Sequence, residues 1–402
     1  MGSLDRMGPL AKQLGALAAL SLALLWPLAG PTEAQAQISL VGALDPFAGD
    51  DVYADVWGEG DHAYIGTHLG TGVGIVDISN PAVPSLVTTY GAGTHFKDVK
   101  VHDGIGYFAG EAGGGLHILD LTNPATPVLL SHVTAADGGH ASVHNVFVAN
   151  GFAYEADSRT ATIVVFDVSD PASPTFVRDI VTPDTGFIHD VTVIGHRLYA
   201  SGWGGYTYIY DVSNVASVAP TLLGSVATGT QTHSSWATSD NRLLISAEEI
   251  SDGDIKIFDV TNPASPVLLS TLDRTSLGID AFTPHNPVLY NDSLLFVSWY
   301  EAGVVAIDIS DPANPVFVGN YDTFPGGAAG EDGNWGVYPL LGLDRVLLSD
   351  MDAGLVIVDA TPLGPPAVPA LPWPASLALA GLLISAEGIR RRRRVPQRST
   401  PR

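Results

Sequence analysis

The sequence has no cysteine among its 402 residues, so neither a disulfide framework nor a thiolate metal site is available to it. Basic side chains are scarce: 18 Lys and Arg stand against 42 Asp and Glu, for a formal net charge of −24. Arg6, Lys12, the run 390–394, Arg398 and Arg402 take half of those cations to the ends of the chain, leaving residues 37–370 with 9 basic against 39 acidic groups. A nucleic-acid partner is not expected, because phosphate binding needs clustered Lys and Arg. The chain also lacks a Gly-x-Ser-x-Gly elbow, a Walker loop and a His-Glu-x-x-His pair, and with them the common signatures of hydrolases, nucleotide-binding enzymes and zinc proteases. Gly113-Gly114-Gly115 and Gly326-Gly327 stand outside any strand-to-helix context and read as turns. What is present is 46% hydrophobic residues with 44 Gly and 28 Pro. That content can bury a core while turning often, which points to many short strands.

Both ends read as addresses. Arg6 and Lys12, an apolar stretch over 14–28 and Ala34-Gln35-Ala36 have the order of a signal peptide (1–36) cleaved after Ala36; an uncleaved anchor is the alternative. A Pro-rich linker (363–370) leads to an apolar run over 371–389 and the Arg block 390–394. That tail (371–402) is just long enough to cross a bilayer, with the Arg block held on the cytoplasmic side and residues 37–362 outside. It resembles the tripartite sorting tail recognised by exosortases, although Val368-Pro369-Ala370-Leu371-Pro372 lacks the usual Glu.

Between the ends one pattern recurs: an apolar strand ending in Asp, a Ser or Thr, and Asn/Asp-Pro-Ala-x-Pro. The Asp residues are Asp77, Asp120, Asp167, Asp211, Asp259, Asp308 and Asp359, spaced by 43, 47, 44, 48, 49 and 51 residues. Repeats of this length suit four-stranded propeller blades, and the order within one unit is legible. In the second unit an innermost strand (98–101), a turn at His102-Asp103-Gly104, a strand at 106–109, a Gly-rich hairpin and a strand at 116–120 lead to an outer strand at 128–133. The last unit stops one strand short, and a spare strand stands at 38–44. The expected fold is therefore an all-β, seven-bladed β-propeller closed by the N-terminal strand; a solenoid is the alternative, but no capping segments are evident.

Ile75-Val76-Asp77 and its copies, Pro284-His285-Asn286, Ser298-Trp299-Tyr300-Glu301-Ala302-Gly303 and Trp335-Gly336-Val337-Tyr338-Pro339 carry a resemblance to the LVIVD-repeat proteins, specifically the choice-of-anchor B family. The resemblance covers roughly residues 38–360 and implies a secreted, surface-held propeller with no established reaction. The fourth unit departs from the pattern at Asn214-Val215, where a looser turn is expected.

The repeated Asp residues read as turn formers accepting from backbone N–H groups; calcium loops are the alternative, but each loop offers few oxygens. More informative are polar residues at the start of each innermost strand: His95 and Asp98, His144-Asn145, His189-Asp190, His233 and His285-Asn286. The hairpins that open on the same end of a propeller begin with His68, Glu111, Glu155, Trp203, Glu248 and Glu249, the run Trp299 to Glu301, and Asp350 with Asp352. Together these residues are candidates for a ligand site at a channel mouth, with His144, His189 and His285 as candidate ligands of a divalent metal. The competing explanation is that they satisfy buried loop ends. The leading functional expectation is a non-catalytic binding module for a surface protein or glycan, monomeric and membrane-held through its tail. The alternative is a metal-dependent hydrolase or lyase.

Overall fold

The computed structural model describes residues 37–49, 52–326 and 330–364. The expected signal peptide and tail lie outside these residues, as does most of the Pro-rich linker. Among the described residues no helix is long and apolar enough to cross a membrane. The helical segments are single turns, such as Arg274–Leu277.

Strands form where β-branched and aromatic residues alternate with small ones, and tight turns separate them. Asp103 and Gly104 both have positive φ (51° and 74°), as do Asn150 and Gly151 (55° and 82°). Two consecutive positive φ values are what a two-residue hairpin requires to match the strand twist, and Asx-Gly supplies them at low strain. The recurrent Asp then closes the next turn. In all seven units its Oδ1 accepts from the backbone N–H two residues on, at 2.8–2.9 Å, from Ser79 to Thr361. The turn reading of these residues is the one the geometry supports. The fourth unit is not looser: Ser217 N–H donates to Asn214 O at 3.0 Å, as Thr126 does to Asn123 at 2.9 Å, and Val215 is buried where the other units have proline.

The strands pair antiparallel into five four-stranded sheets and one eight-stranded sheet, whose two halves meet at the single pair Thr67↔Phe96. The innermost strands are Tyr53–Glu59, Phe96–His102, Asn145–Ala149, Ile188–Ile194, Thr232–Ala237, Pro287–Leu289 and Asn334–Tyr338. Each contacts the next, and Asn334–Tyr338 returns to Tyr53–Glu59, so the array is closed. The spare strand Ser39–Leu44 pairs with Gly354–Asp359 and supplies the outer strand of the last sheet. The fold is a β-propeller.

The core lies between neighbouring sheets. Ile245 and Ile257 pack on Leu295, Val305 and Ile307 of the following sheet, and Tyr107 and Ile118 on Ala153 and Phe166. Each such side chain is worth about 1.5–3 kcal/mol when fully buried. A single sheet cannot bury both faces, which is why the repeats close on one another.

Candidate functional site

The register of the innermost strands shifts near their first residues. Phe96 pairs with Gly110 but Asp98 with Ala109; the same step separates Ile188 from Asp190, Thr232 from Ser234 and Asn334 from Gly336. The extra residues are Lys97, His189, His233 and Trp335. A bulge of this kind redirects a side chain out of the sheet. His189, His233 and Trp335, together with Lys97, His144 and His285, line a central cavity with about 690 Å³ of empty space, part of it open solvent.

The rings form an arc. Centroids of His144 and His189 lie 4.3 Å apart, His189 and His233 4.0 Å, His233 and His285 3.9 Å, and His285 and Trp335 4.2 Å. Trp203 stacks on His189 at 5.2 Å. Burial, reinforced by neighbouring imidazoles, holds His189, His233 and His285 far below their ordinary value, so these rings are neutral. Burial also pushes Asp190 up to about 7 and Glu249 up to about 7. Glu249 Oε1 accepts from the Tyr300 hydroxyl at 2.5 Å, and its two oxygens stand 3.7 Å from His233 Nε2 and 3.8 Å from His285 Nε2. Glu111 accepts from His144 Nδ1 at 2.6 Å and lies 3.8 Å from Lys97 Nζ. Among the described residues two groups of donors are spaced for an ion: His144, His189 and Asp190, and His189, His233 and Glu249.

Other members of the expected set bind neighbouring blades together. Asp98 Oδ2 accepts from Asn145 Nδ2 at 3.1 Å and from Val146 N–H at 2.8 Å; Asn145 Oδ1 in turn accepts from Val191 N–H at 3.0 Å. Asn286 Nδ2 reaches Trp335 O at 3.4 Å. Deeper in the channel, Lys100 pairs with Asp55 at 2.8 Å and with Asp98. These residues line the cavity, yet their polar atoms are largely spent on structure.

Six expected site residues lie outside the cavity lining; one of them, Glu111, still touches it by holding His144. His95 packs against Gly70, and its carbonyl accepts from Glu111 N–H. Glu155 accepts from His140 N–H at 3.1 Å beneath the loop after the preceding outer strand. Glu248 pairs with Lys256 at 2.6 Å, and Trp299 belongs to the core between sheets. Glu301 accepts from Phe282 and Gly330 N–H, tying down two loops. Of the adjacent residues Glu248 and Glu249, and of the run Trp299 to Glu301, the structure brings Glu249 and Tyr300 to the channel histidines. Glu249 and Tyr300 lie just past the strand ends at Glu248 and Ser298, in the turns that open on the channel mouth. The sequence signal was the register: Glu249 follows the partner of Thr232, as Glu111 follows the partner of Phe96.

The LVIVD repeat model matches residues 53–92, 95–135, 138–182, 185–228, 250–273 and 294–323, more than half of the chain. The chain belongs to the LVIVD-repeat family. No curated protein matches it. Among solved structures, this LVIVD-repeat protein is similar to the WD40 β-propeller domain of Doa1, with a TM-score of 0.58 and 13% identity over 80% of this chain and 96% of that one. It is also similar to the computationally designed Ika8 protein, with a TM-score of 0.54 and 11% identity over 79% of this chain and 98% of that one. At such identities the likeness is one of fold.

Proposed function

We propose that this LVIVD-repeat protein is an exported, surface-anchored propeller of seven blades, of the choice-of-anchor B type, that recognises a polar ligand at the histidine-lined mouth of its channel. The blade count reads the eight-stranded sheet as two blades joined by one pair. The signal-like residues 1–36 and the apolar run with its Arg block over 371–394 support export and anchoring. The site reading rests on one observation. Successive innermost strands use a bulge or strand start to turn neutral imidazoles and a tryptophan into one cavity, an arrangement that donates, accepts and stacks. A glycan or a polar segment of a surface protein matches that chemistry; the strongly acidic chain disfavours nucleic acid.

A panel of soluble oligosaccharides and short peptides, read by the shift in melting temperature, tests the reading. Ligands that stabilise the wild-type protein and lose their effect in Trp203→Ala and His144→Ala are the expected result. Stabilisation untouched by both substitutions, or none across the panel, would overturn it. The grouped imidazoles and carboxylates also favour a second reading, a metal-dependent hydrolase or lyase, for which metal-dependent turnover of a panel member would be the sign.

A further inference from the structure

We propose that the channel mouth holds one divalent first-row transition ion, zinc being the type, through His189, His233 and Glu249, with His285 Nε2 as the adjacent fourth donor. This rests on the reading of the mouth as a ligand site and names what it takes.

His233 carries the argument. Its side chain is 2% exposed, and neither ring nitrogen makes a well-directed protein hydrogen bond, the backbone of His285 being its one weak polar neighbour. A buried imidazole this poorly satisfied is costly, and a metal bond removes much of that cost. His285 adds an electronic constraint. Its Nδ1 lies 2.6 Å from Trp335 O, and a carbonyl only accepts, so Nδ1 carries the proton and Nε2 presents a lone pair. That lone pair faces Glu249 Oε1 at 3.8 Å, while Glu249 Oε2 faces His233 Nε2 at 3.7 Å. His285 Nε2 and Glu249 Oε1 are then two acceptors near one another in a buried site, an opposition that a cation between them removes. Ligand atoms about 2 Å from a tetrahedral ion stand roughly 3.3 Å apart, so small side-chain movements close the set.

The surrounding groups have the character of outer-shell partners. Asp190 Oδ1 lies 3.2 Å from His189 Nδ1, Trp335 O fixes the tautomer of His285, and the Tyr300 hydroxyl holds Glu249. Tyr300 has φ of 30°, a left-handed conformation rare for a bulky residue, and its carbonyl accepts from Gly303 and Asn334 N–H at 2.9 Å. The surrounding fold maintains that strained backbone at the residue that orients the carboxylate. Three imidazoles and one carboxylate select a zinc-class ion; calcium and magnesium need more oxygens than this set provides.

The full-length protein, stripped with chelator and dialysed against Zn²⁺ or Co²⁺, provides the test, read by metal content and by the visible spectrum of the Co²⁺ form. One ion per chain is expected, with a Co²⁺ spectrum of low coordination number. His233→Gln and Glu249→Gln should each weaken binding at least about tenfold, while His95→Gln leaves it unchanged. Circular dichroism establishes that each variant is folded. No retained ion, or one indifferent to both substitutions in folded protein, overturns the inference. Running the oligosaccharide and peptide panel on the stripped protein separates the two ideas. Panel binding by a protein that takes up no ion when Zn²⁺ or Co²⁺ is offered removes the metal site alone, and ion uptake without panel binding by either form removes the recognition reading alone.

Discussion

Glu155 shows what a single buried acid does to the stability of this propeller. Its carboxyl is 0% exposed, one oxygen accepts from His140 N–H, and the other has no protein partner. Burial pushes it from an ordinary 4.5 to about 8. Below pH 4.5 the acid is protonated in both folded and unfolded chains. Between pH 4.5 and 8 the unfolded chain releases its proton while the folded one keeps it, so the stability present at low pH is lost as pH rises, with a slope of at most about 1.4 kcal/mol per pH unit. Glu155→Gln removes that slope. The variant should gain on the wild-type protein progressively from pH 5 to pH 8 in urea unfolding, and a constant difference would contradict the assignment. The seven turn-forming Asp residues were legible because their partner lies two residues away and the repeat displays it seven times. The role of Glu155 was not, since its partner comes from a loop 15 residues back that only tertiary packing brings over it.

At the scale of the strand, one position performs the same task in two successive sheets. The residue after the bulge, Asp98 or its counterpart Asn145, reaches across to the innermost strand of the next blade. Asn145→Ala would leave Val191 N–H buried without its acceptor and remove one donor from Asp98. The expected loss is about 1–3 kcal/mol in denaturant unfolding, with no change in the ion content of the mouth. Equal stability of variant and wild type would refute the tie. The innermost strands and the converging histidines could be read from sequence because the polar residues recur just before an apolar pair. The division of labour between adjacent residues could not. A bulge adds one residue to the count, so His233 aligns in space with His144 and His189, and Glu249 and Tyr300, rather than Glu248 and Trp299, contact the channel histidines.

For the whole molecule the decisive joint is the one between the first strand and the last sheet. With no cysteine to lock it, Ser39–Leu44 is held to Gly354–Asp359 by strand pairing, and Ile38 is buried with Phe296, Leu348 and Val358. The same strand leans on the first repeat: a Cβ on Gly42 would stand 2.3 Å from Pro81 O, a backbone atom that cannot move alone. Gly42→Val should therefore force the strand away from the turn it covers, at about 1–3 kcal/mol for overpacking. A larger effect is expected when residues 37–44 are removed, because the edge of Gly354–Asp359 is then open to pairing with another chain. Light scattering after size-exclusion chromatography should show concentration-dependent association of the truncated protein, and the Gly42→Val variant should melt below the wild type while remaining dispersed. If both behave as wild type, closure by the first strand contributes nothing to stability, and the packing between neighbouring sheets must hold the ring unaided.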